Sequence, residues 1–218
     1  MWKHKKCLFV LILSMFAVSG IWGCGGSGVN STSSSNTTLE QYALALLEVP
    51  FLITNGDVNP GQTVQCSGGG TMSNSNDGTT MTLTNCLVDI YTINGTYSTS
   101  STGNKNLTIT LNNLQVTSTL FTATVIISGT LNQTLNNDNS ITGTGNETAT
   151  ASSDKVTLTT SLSSPNTTPG KNLFNGTAEA LNGSSTLSNC TFTNFDFLSA
   201  TCSAYATACN VNTSLCSK

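Results

Sequence analysis

The chain has no arginine, and its one histidine (His4) and both tryptophans (Trp2 and Trp22) lie within the first 22 of its 218 residues. Charged residues are only 8% of the chain, and every basic residue is a lysine. Outside that N-terminal segment, no side chain can support histidine-dependent catalysis, a His-ligated metal or a bidentate arginine clamp. So few cations also give no electrostatic grip on nucleic acid, and we expect no nucleic-acid partner.

Asn, Ser and Thr dominate the chain, with 25, 28 and 38 residues. The many hydroxyls lack a histidine partner and a G-x-S-x-G elbow, so we expect no enzyme, no catalytic residue and no cofactor. Asp89 and Asp196 each follow an Asn-Cys pair and would supply the two carboxylates of a glycosidase if they met. The ordinary interpretation is that both are solvent-exposed acids at strand ends.

Residues 1–23 have the pattern of an export signal. Lys3, His4, Lys5 and Lys6 precede an apolar run from Leu8 to Val18. That run is about 11 residues, whereas a membrane-spanning helix needs about 20. The segment Ile21-Trp22-Gly23-Cys24 then places a cysteine after small and aliphatic residues.

This segment resembles the lipobox of bacterial lipoproteins, with Trp22 departing from the small residue usual at its position. The resemblance implies cleavage before Cys24, diacylglycerol on its sulfur and acylation of the new N-terminus. Two or three acyl chains anchor a protein stably to a membrane. Gly25, rather than Asp, after the cysteine resembles an outer-membrane signal, which implies a location in the bacterial cell envelope.

The cysteines support export. Without Cys7 and Cys24, six remain, and an even number in an exported chain predicts up to three disulfides rather than a metal site. The six are Cys66, Cys86, Cys190, Cys202, Cys209 and Cys216. A turn at Asn76-Asp77-Gly78 would place Cys66 opposite Cys86 on neighbouring strands, a bridge that contributes about 3 kcal/mol. The other four then pair among themselves, in an order left open.

Four segments follow from composition and periodicity. After the signal peptide, residues 24–36 form a flexible Gly/Ser/Asn tether. Residues 37–50 form an amphipathic helix that begins at a capping box (Thr37 to Glu40) and ends at Pro50. Residues 51–218 form one β domain with a cysteine-rich C-terminal tail.

The β domain shows alternating apolar and polar residues, which indicates antiparallel strands with one polar face. About nine strands are predicted, near 62–67, 79–88, 89–99, 105–117, 119–133, 140–150, 154–163, 171–181 and 185–198. No helical pattern separates them, so a meander is the simplest topology. The predicted fold is mainly β, with long curved strands forming a barrel or half-barrel and the N-terminal helix packed on it.

Three glycines carry the prediction of curvature. Ile93-Asn-Gly-Thr96, Ile127-Ser-Gly-Thr130 and Phe174-Asn-Gly-Thr177 are similar to one another. Asn-Gly often marks a hairpin, but alternation continues through each glycine, so that Tyr91, Ile93, Gly95 and Tyr97 share one face. An inward glycine in a long strand indicates a sharp bend.

One segment has two interpretations, a cation site or a turn. Asn55-Gly-Asp57-Val-Asn-Pro-Gly61 has oxygen ligands at alternate positions, although it lacks the downstream Glu of a calcium loop. A turn explains it equally well.

These features favour a non-enzymatic, lipid-anchored envelope protein with a structural or interaction role. The alternative is a carrier that holds a lipid or other hydrophobic ligand inside the curved sheet. A weaker alternative is a carbohydrate-, ice- or surface-binding face, because Thr-x-Thr pairs are frequent. Without a constant repeat, however, rows of threonine need not align across strands.

Overall fold

The computed structural model of the chain describes residues 34–54, 58–103, 105–138, 140–164, 173–197 and 200–216. The predicted signal peptide, Cys24 and residues 55–57 of the candidate cation segment lie outside the described residues.

Ten antiparallel strands form one sheet, and each strand pairs with its neighbours in sequence. They are β1 (Thr63–Gln65), β2 (Thr71–Asn74), β3 (Thr80–Val88), β4 (Tyr91–Thr102), β5 (Asn106–Ser118), β6 (Phe121–Leu135), β7 (Ile141–Ala151), β8 (Asp154–Ser164), β9 (Leu173–Asn182) and β10 (Ser185–Asp196). The predicted meander is confirmed, and the sheet is open rather than closed into a barrel.

Helix α1 (Ser34–Thr54) packs against the sheet, and it is longer than the predicted 37–50. It begins three residues before the predicted capping box and continues through Pro50. Proline costs the helix one backbone hydrogen bond, because its nitrogen has no proton to donate to the Leu46 carbonyl. Packing outweighs that loss: Ile53 is fully buried, and Tyr97 Oη donates to its carbonyl at 3.1 Å.

The helix is also buried more completely than an amphipathic stripe would be. Every residue from Gln41 to Pro50 is buried. The apolar residues of α1 therefore belong to the same core as the inward side chains of β2 to β10. The helix fills the concave side of the sheet.

Three β-bulges coincide with the three predicted glycines. Each bulged residue is an asparagine with a left-handed backbone: Asn85 (φ 47°), Asn113 (φ 53°) and Asn194 (φ 48°). The residue two before each bulge pairs with the facing glycine, as in Leu83–Gly95, Leu111–Gly129 and Phe192–Gly176.

A polar side chain beside each glycine holds its bulge. Asn94 Oδ1 accepts from the Asn85 N–H at 2.7 Å, and Asn175 Oδ1 accepts from the Asn194 N–H at 2.8 Å. At the third bulge, Ser128 Oγ donates to Asn113 Oδ1 at 2.7 Å. Bulges increase the local twist and bend a strand, so these three positions help curve the sheet around α1.

The Cys66–Cys86 disulfide is present, with its Cα atoms 5.4 Å apart, but the predicted hairpin beneath it is wrong. Strand β2 was missed, and it lies between β1 and β3. The Asn76-Asp77-Gly78 turn joins β2 to β3, not β1 to β3. Cys66 reaches β3 because the Ser67–Gly70 turn folds onto it, where the Gly68 N–H donates to the Leu87 carbonyl at 2.9 Å.

Two further disulfides involve the C-terminal tail: Cys190 of β10 is bonded to Cys209, which joins the tail to the sheet, and Cys202–Cys216 closes a loop within the tail. The tail contains helix α2 (Cys202–Ala208) and a 3-10 helix (Thr213–Cys216). Tyr205 packs its ring against Phe195 and Phe197 and donates to the Phe197 carbonyl at 2.9 Å. The tail is thereby attached to the end of β10.

Candidate functional site

The outer face of the sheet presents polar side chains in rows that cross the strands. Residues paired side by side in an antiparallel sheet share a face, so the strand register defines each row. The central row is Thr80, Ser98, Thr110, Thr130, Asn146, Thr159, Glu179 and Asn189. A second row is Ser100, Thr108, Asn132, Thr144, Ser161, Thr177 and Thr191. A third is Thr102, Asn106, Thr134, Thr142, Ser163 and Asn175.

The rows align although the sequence repeat is irregular. The bulges absorb extra residues on β3, β5 and β10, so the register recovers beyond each one. Adjacent side chains in a row bond to one another, as where Thr108 Oγ1 donates to Asn132 Oδ1 at 2.8 Å. Neighbouring positions in a row are about 4.8 Å apart, and successive rows are about 6.8 Å apart along the strands.

This face can form many hydrogen bonds and few other contacts. Glu179 is the one ionisable residue in the three rows. Every aromatic side chain in the part of the chain that the structure describes is buried or half-buried, so the face has no ring on which a sugar could stack. It suits a partner recognised through many weak, neutral hydrogen bonds.

The interior contains two carboxyl groups that the sequence analysis did not single out. Glu48 lies on α1 and is 3% exposed. Tyr91 Oη donates to Glu48 Oε2 at 2.5 Å, whereas Oε1 has no hydrogen-bond partner among the described residues. Burial raises the pKa of Glu48 to about 7, and the charge of Asp89 raises it further, against the opposing effect of the Tyr91 hydrogen bond.

Glu147 lies on the inner side of β7 and is 1% exposed. Burial raises its pKa to about 8, and its Oε2 has no partner among the described residues. Its Oε1 and the Thr160 hydroxyl both lie within 2.5 Å of the point that a Cβ on Gly145 would occupy. The missing side chain at Gly145 therefore provides the space for this carboxyl.

A small cleft opens beside Phe51, near the end of α1. Leu131, Ile141, Leu162 and Phe174 contribute its apolar walls, and Thr160 contributes a hydroxyl. Its volume is about 20 Å³, enough for one water molecule.

The two acids considered as a glycosidase pair, Asp89 and Asp196, each lie at the end of a strand near a buried tyrosine. Asp89 lies in the β3–β4 turn, where its charge acts on Glu48 and Tyr91, and Asp196 ends β10, where its charge acts on Tyr205. The described residues contain no group of three or more His, Cys, Asp or Glu side chains that could hold a metal ion.

Alternation could have identified Glu147 from sequence. Gly145, Glu147, Ala149 and Ala151 occupy alternate positions of one strand, so a carboxyl between small inward residues indicates burial. Glu48 gave a weaker signal, because a helix buried on one side only would have exposed it.

None of the described helices is both long enough and apolar enough to cross a membrane. Comparison of the chain with protein-family models, curated protein sequences and solved structures gives no match.

Proposed function

We propose that this protein is a non-enzymatic, lipid-anchored component of the bacterial cell envelope that binds envelope partners through the outer face of its sheet. The alignment of three Thr/Ser/Asn rows over six to eight strands carries this proposal. Strand propensity accounts for the threonines in these rows but not for the asparagines, because Thr is enriched in strands and Asn is depleted from them.

The covalent framework is consistent with an envelope location. Three disulfides lie within residues 66–216, and disulfides persist in oxidising compartments outside the cytoplasm. The lipobox-like segment and the tether that follows would hold the domain within a few nanometres of a membrane.

Curvature favours a flexible partner over a flat one. The sheet bends around α1, so the outer face is convex and the rows follow its curve. A glycan chain or a protein segment can follow such a surface, whereas a flat crystal face would meet only part of each row. The aligned rows thus favour binding to a polymer, such as a glycan chain or a protein segment, over binding to a flat surface.

Site-directed variants combined with crosslinking in cells test this proposal. Thr144 and Thr159 are exposed in adjacent rows, and replacing both by Lys (T144K/T159K) introduces two bulky charges at the centre of the face. Ser203→Lys, on the exposed side of α2, adds the same side chain elsewhere and serves as the matched control.

We expect wild type and the Ser203→Lys variant to copurify with the same crosslinked partners, and the row variant to lose them at unchanged thermal stability. A row variant that retains its partners, or a wild type that yields none, would contradict the proposal.

A carrier role would need an interior cavity of ligand size. Helix α1 occupies the concave side, and the cleft near Phe51 has room for one water molecule. Native mass spectrometry of the domain distinguishes the two roles: the interaction role predicts the mass of the polypeptide alone, and a lipid adduct would favour the carrier.

A further inference from the structure

Among the described residues, helix α1 contacts the sheet through packing and hydrogen bonds, and no disulfide joins the two. All three disulfides join residues of the sheet and its C-terminal tail, between Cys66 and Cys216. They would hold the sheet and tail together if α1 moved away. After α1, the carbonyls of Val58 and Gln62 accept hydrogen bonds from Asn74 of β2, so these residues belong to the part of the molecule that would stay with the sheet.

The interface between α1 and the sheet contains the two buried carboxyls. Glu48 projects from α1 toward Tyr91 of β4, and it is also faced by Asp89 of the β3–β4 turn and Tyr205 of α2. Glu147 lies on β7, one of the strands against which α1 packs, beside Thr160 of β8. Each carboxyl has one oxygen without a partner among the described residues.

No cation compensates these groups in the described structure. The two lysines in the described residues, Lys105 and Lys155, are exposed. The acid that faces Glu48, Asp89, has the same sign as an ionised Glu48 and would repel it. A buried carboxylate without a cation or a full set of hydrogen bonds is strongly unfavourable, so both groups are stable in this packing only when protonated.

We propose that α1 is a displaceable plug, held in the sheet while Glu48 and Glu147 are protonated and released when they ionise. Release lets both carboxylates reach water and exposes the apolar inner face of the sheet together with the apolar surface of α1. The protein would then offer an apolar surface at alkaline pH that it conceals at acid pH.

Hydrogen exchange of the full mature chain between pH 5.5 and 8.5 tests the proposal, with rates converted to protection factors to remove the intrinsic pH effect. For each carboxyl, an open state in which it titrates near 4.5 becomes tenfold more populated per pH unit until that carboxyl ionises in the closed state. The two carboxyls together predict that protection in α1 falls by several thousandfold, while β5 to β8 stay protected.

Two variants separate the carboxyls from other causes. The double variant E48Q/E147Q should keep α1 protected at pH 8.5. Glu179→Gln removes an exposed carboxyl from the outer face and should behave as wild type.

Protection of α1 that does not change with pH in the wild type would overturn the proposal, and so would simultaneous loss of protection in α1 and the sheet. The wild-type comparison decides the question even if the double variant does not fold. It is independent of the outer face, so its failure would leave the proposed partner binding untouched.

Discussion

Single residues set the pH response of this fold. Glu48 and Glu147 are buried acids with pKa values raised to about 7 and about 8, against an unperturbed value of 4.5. Between pH 4.5 and 8 the unfolded chain therefore releases protons that the folded chain retains, and stability falls as pH rises. The stabilisation is fully present below pH 4.5 and lost above about pH 8.

We expect the free energy of unfolding, measured by urea titration, to decrease between pH 5 and pH 8. Glu147→Gln should reduce that decrease by up to about 4 kcal/mol, because it removes the group with the larger shift. Glu179→Gln, at an exposed site, is the control and should leave the slope as in wild type. Stability that rises over this range would show that the carboxyls are not buried as described.

The Tyr91 hydroxyl is the one described hydrogen-bond partner of the Glu48 carboxyl. Tyr91→Phe should cost about 1–3 kcal/mol of unfolding free energy at pH 5, where Glu48 is protonated and α1 is packed, because the buried carboxyl loses this partner. Tyr97→Phe removes a bond to the Ile53 carbonyl and should cost a similar amount at that pH. A Tyr91→Phe variant as stable as wild type at pH 5 would argue against this account of Glu48.

Gly129 combines a left-handed backbone (φ 145°) with close packing, since a Cβ there would come 2.4 Å from the Asn146 carbonyl oxygen. Gly129→Ala should therefore destabilise the fold by more than about 2 kcal/mol. At Gly143 the nearest atom to such a Cβ is 3.7 Å away, so Gly143→Ala should change stability by less than about 1 kcal/mol. Thermal unfolding of the two variants compares them, and equal melting temperatures would contradict the strained bend.

At the scale of elements, the alternation of apolar and polar residues predicted more of the strands and their inward faces than the spacing of turn and stop residues did. The inward phase of Ile93, Gly95 and Tyr97 follows from period two and holds through the bulges. Helix α1 passed its predicted end at Pro50 because buried contacts on every side compensate a lost backbone bond. Strand β2 has four residues, too few for alternation to identify it.

Similar sequence did not guarantee equivalent structure. Thr82-Leu-Thr-Asn85-Cys86 is similar to Thr186-Leu-Ser-Asn189-Cys190, yet Asn85 is bulged and its structural counterpart is Asn194. At the three asparagine bulges the facing strand supplies a glycine with a polar neighbour, whereas Asn189 pairs with Glu179. A short sequence segment does not show which residue will face it on the neighbouring strand.

The Cys66–Cys86 bridge should stabilise the β1–β3 region through the unfolded state. Its sequence separation is 20 residues, for which loop-closure entropy gives about 3 kcal/mol. We expect Cys66→Ala/Cys86→Ala to lower the free energy of unfolding by about that amount. A non-reducing peptide map that joined Cys66 to a cysteine beyond residue 189 would contradict this assignment.

For the whole molecule, the mainly β class and the meander topology were predictable, because a meander of alternating strands needs only local information. The occupied interior was not, since whether a curved sheet encloses a ligand or its own helix depends on the final packing. The alignment of the outer rows likewise depends on where bulges fall. The function proposed for this face requires that the domain be displayed on a membrane.

Fatty-acid labelling of the full chain in bacterial cells, combined with the mass of the mature N-terminus, tests the anchored envelope role most directly. The account predicts a labelled chain beginning at acylated Cys24, and an unlabelled, larger precursor for Cys24→Ala. The matched variant Cys7→Ala, within the signal segment, should be labelled and processed as wild type. Normal labelling of the Cys24→Ala variant, or an unacylated mature wild type, would contradict it.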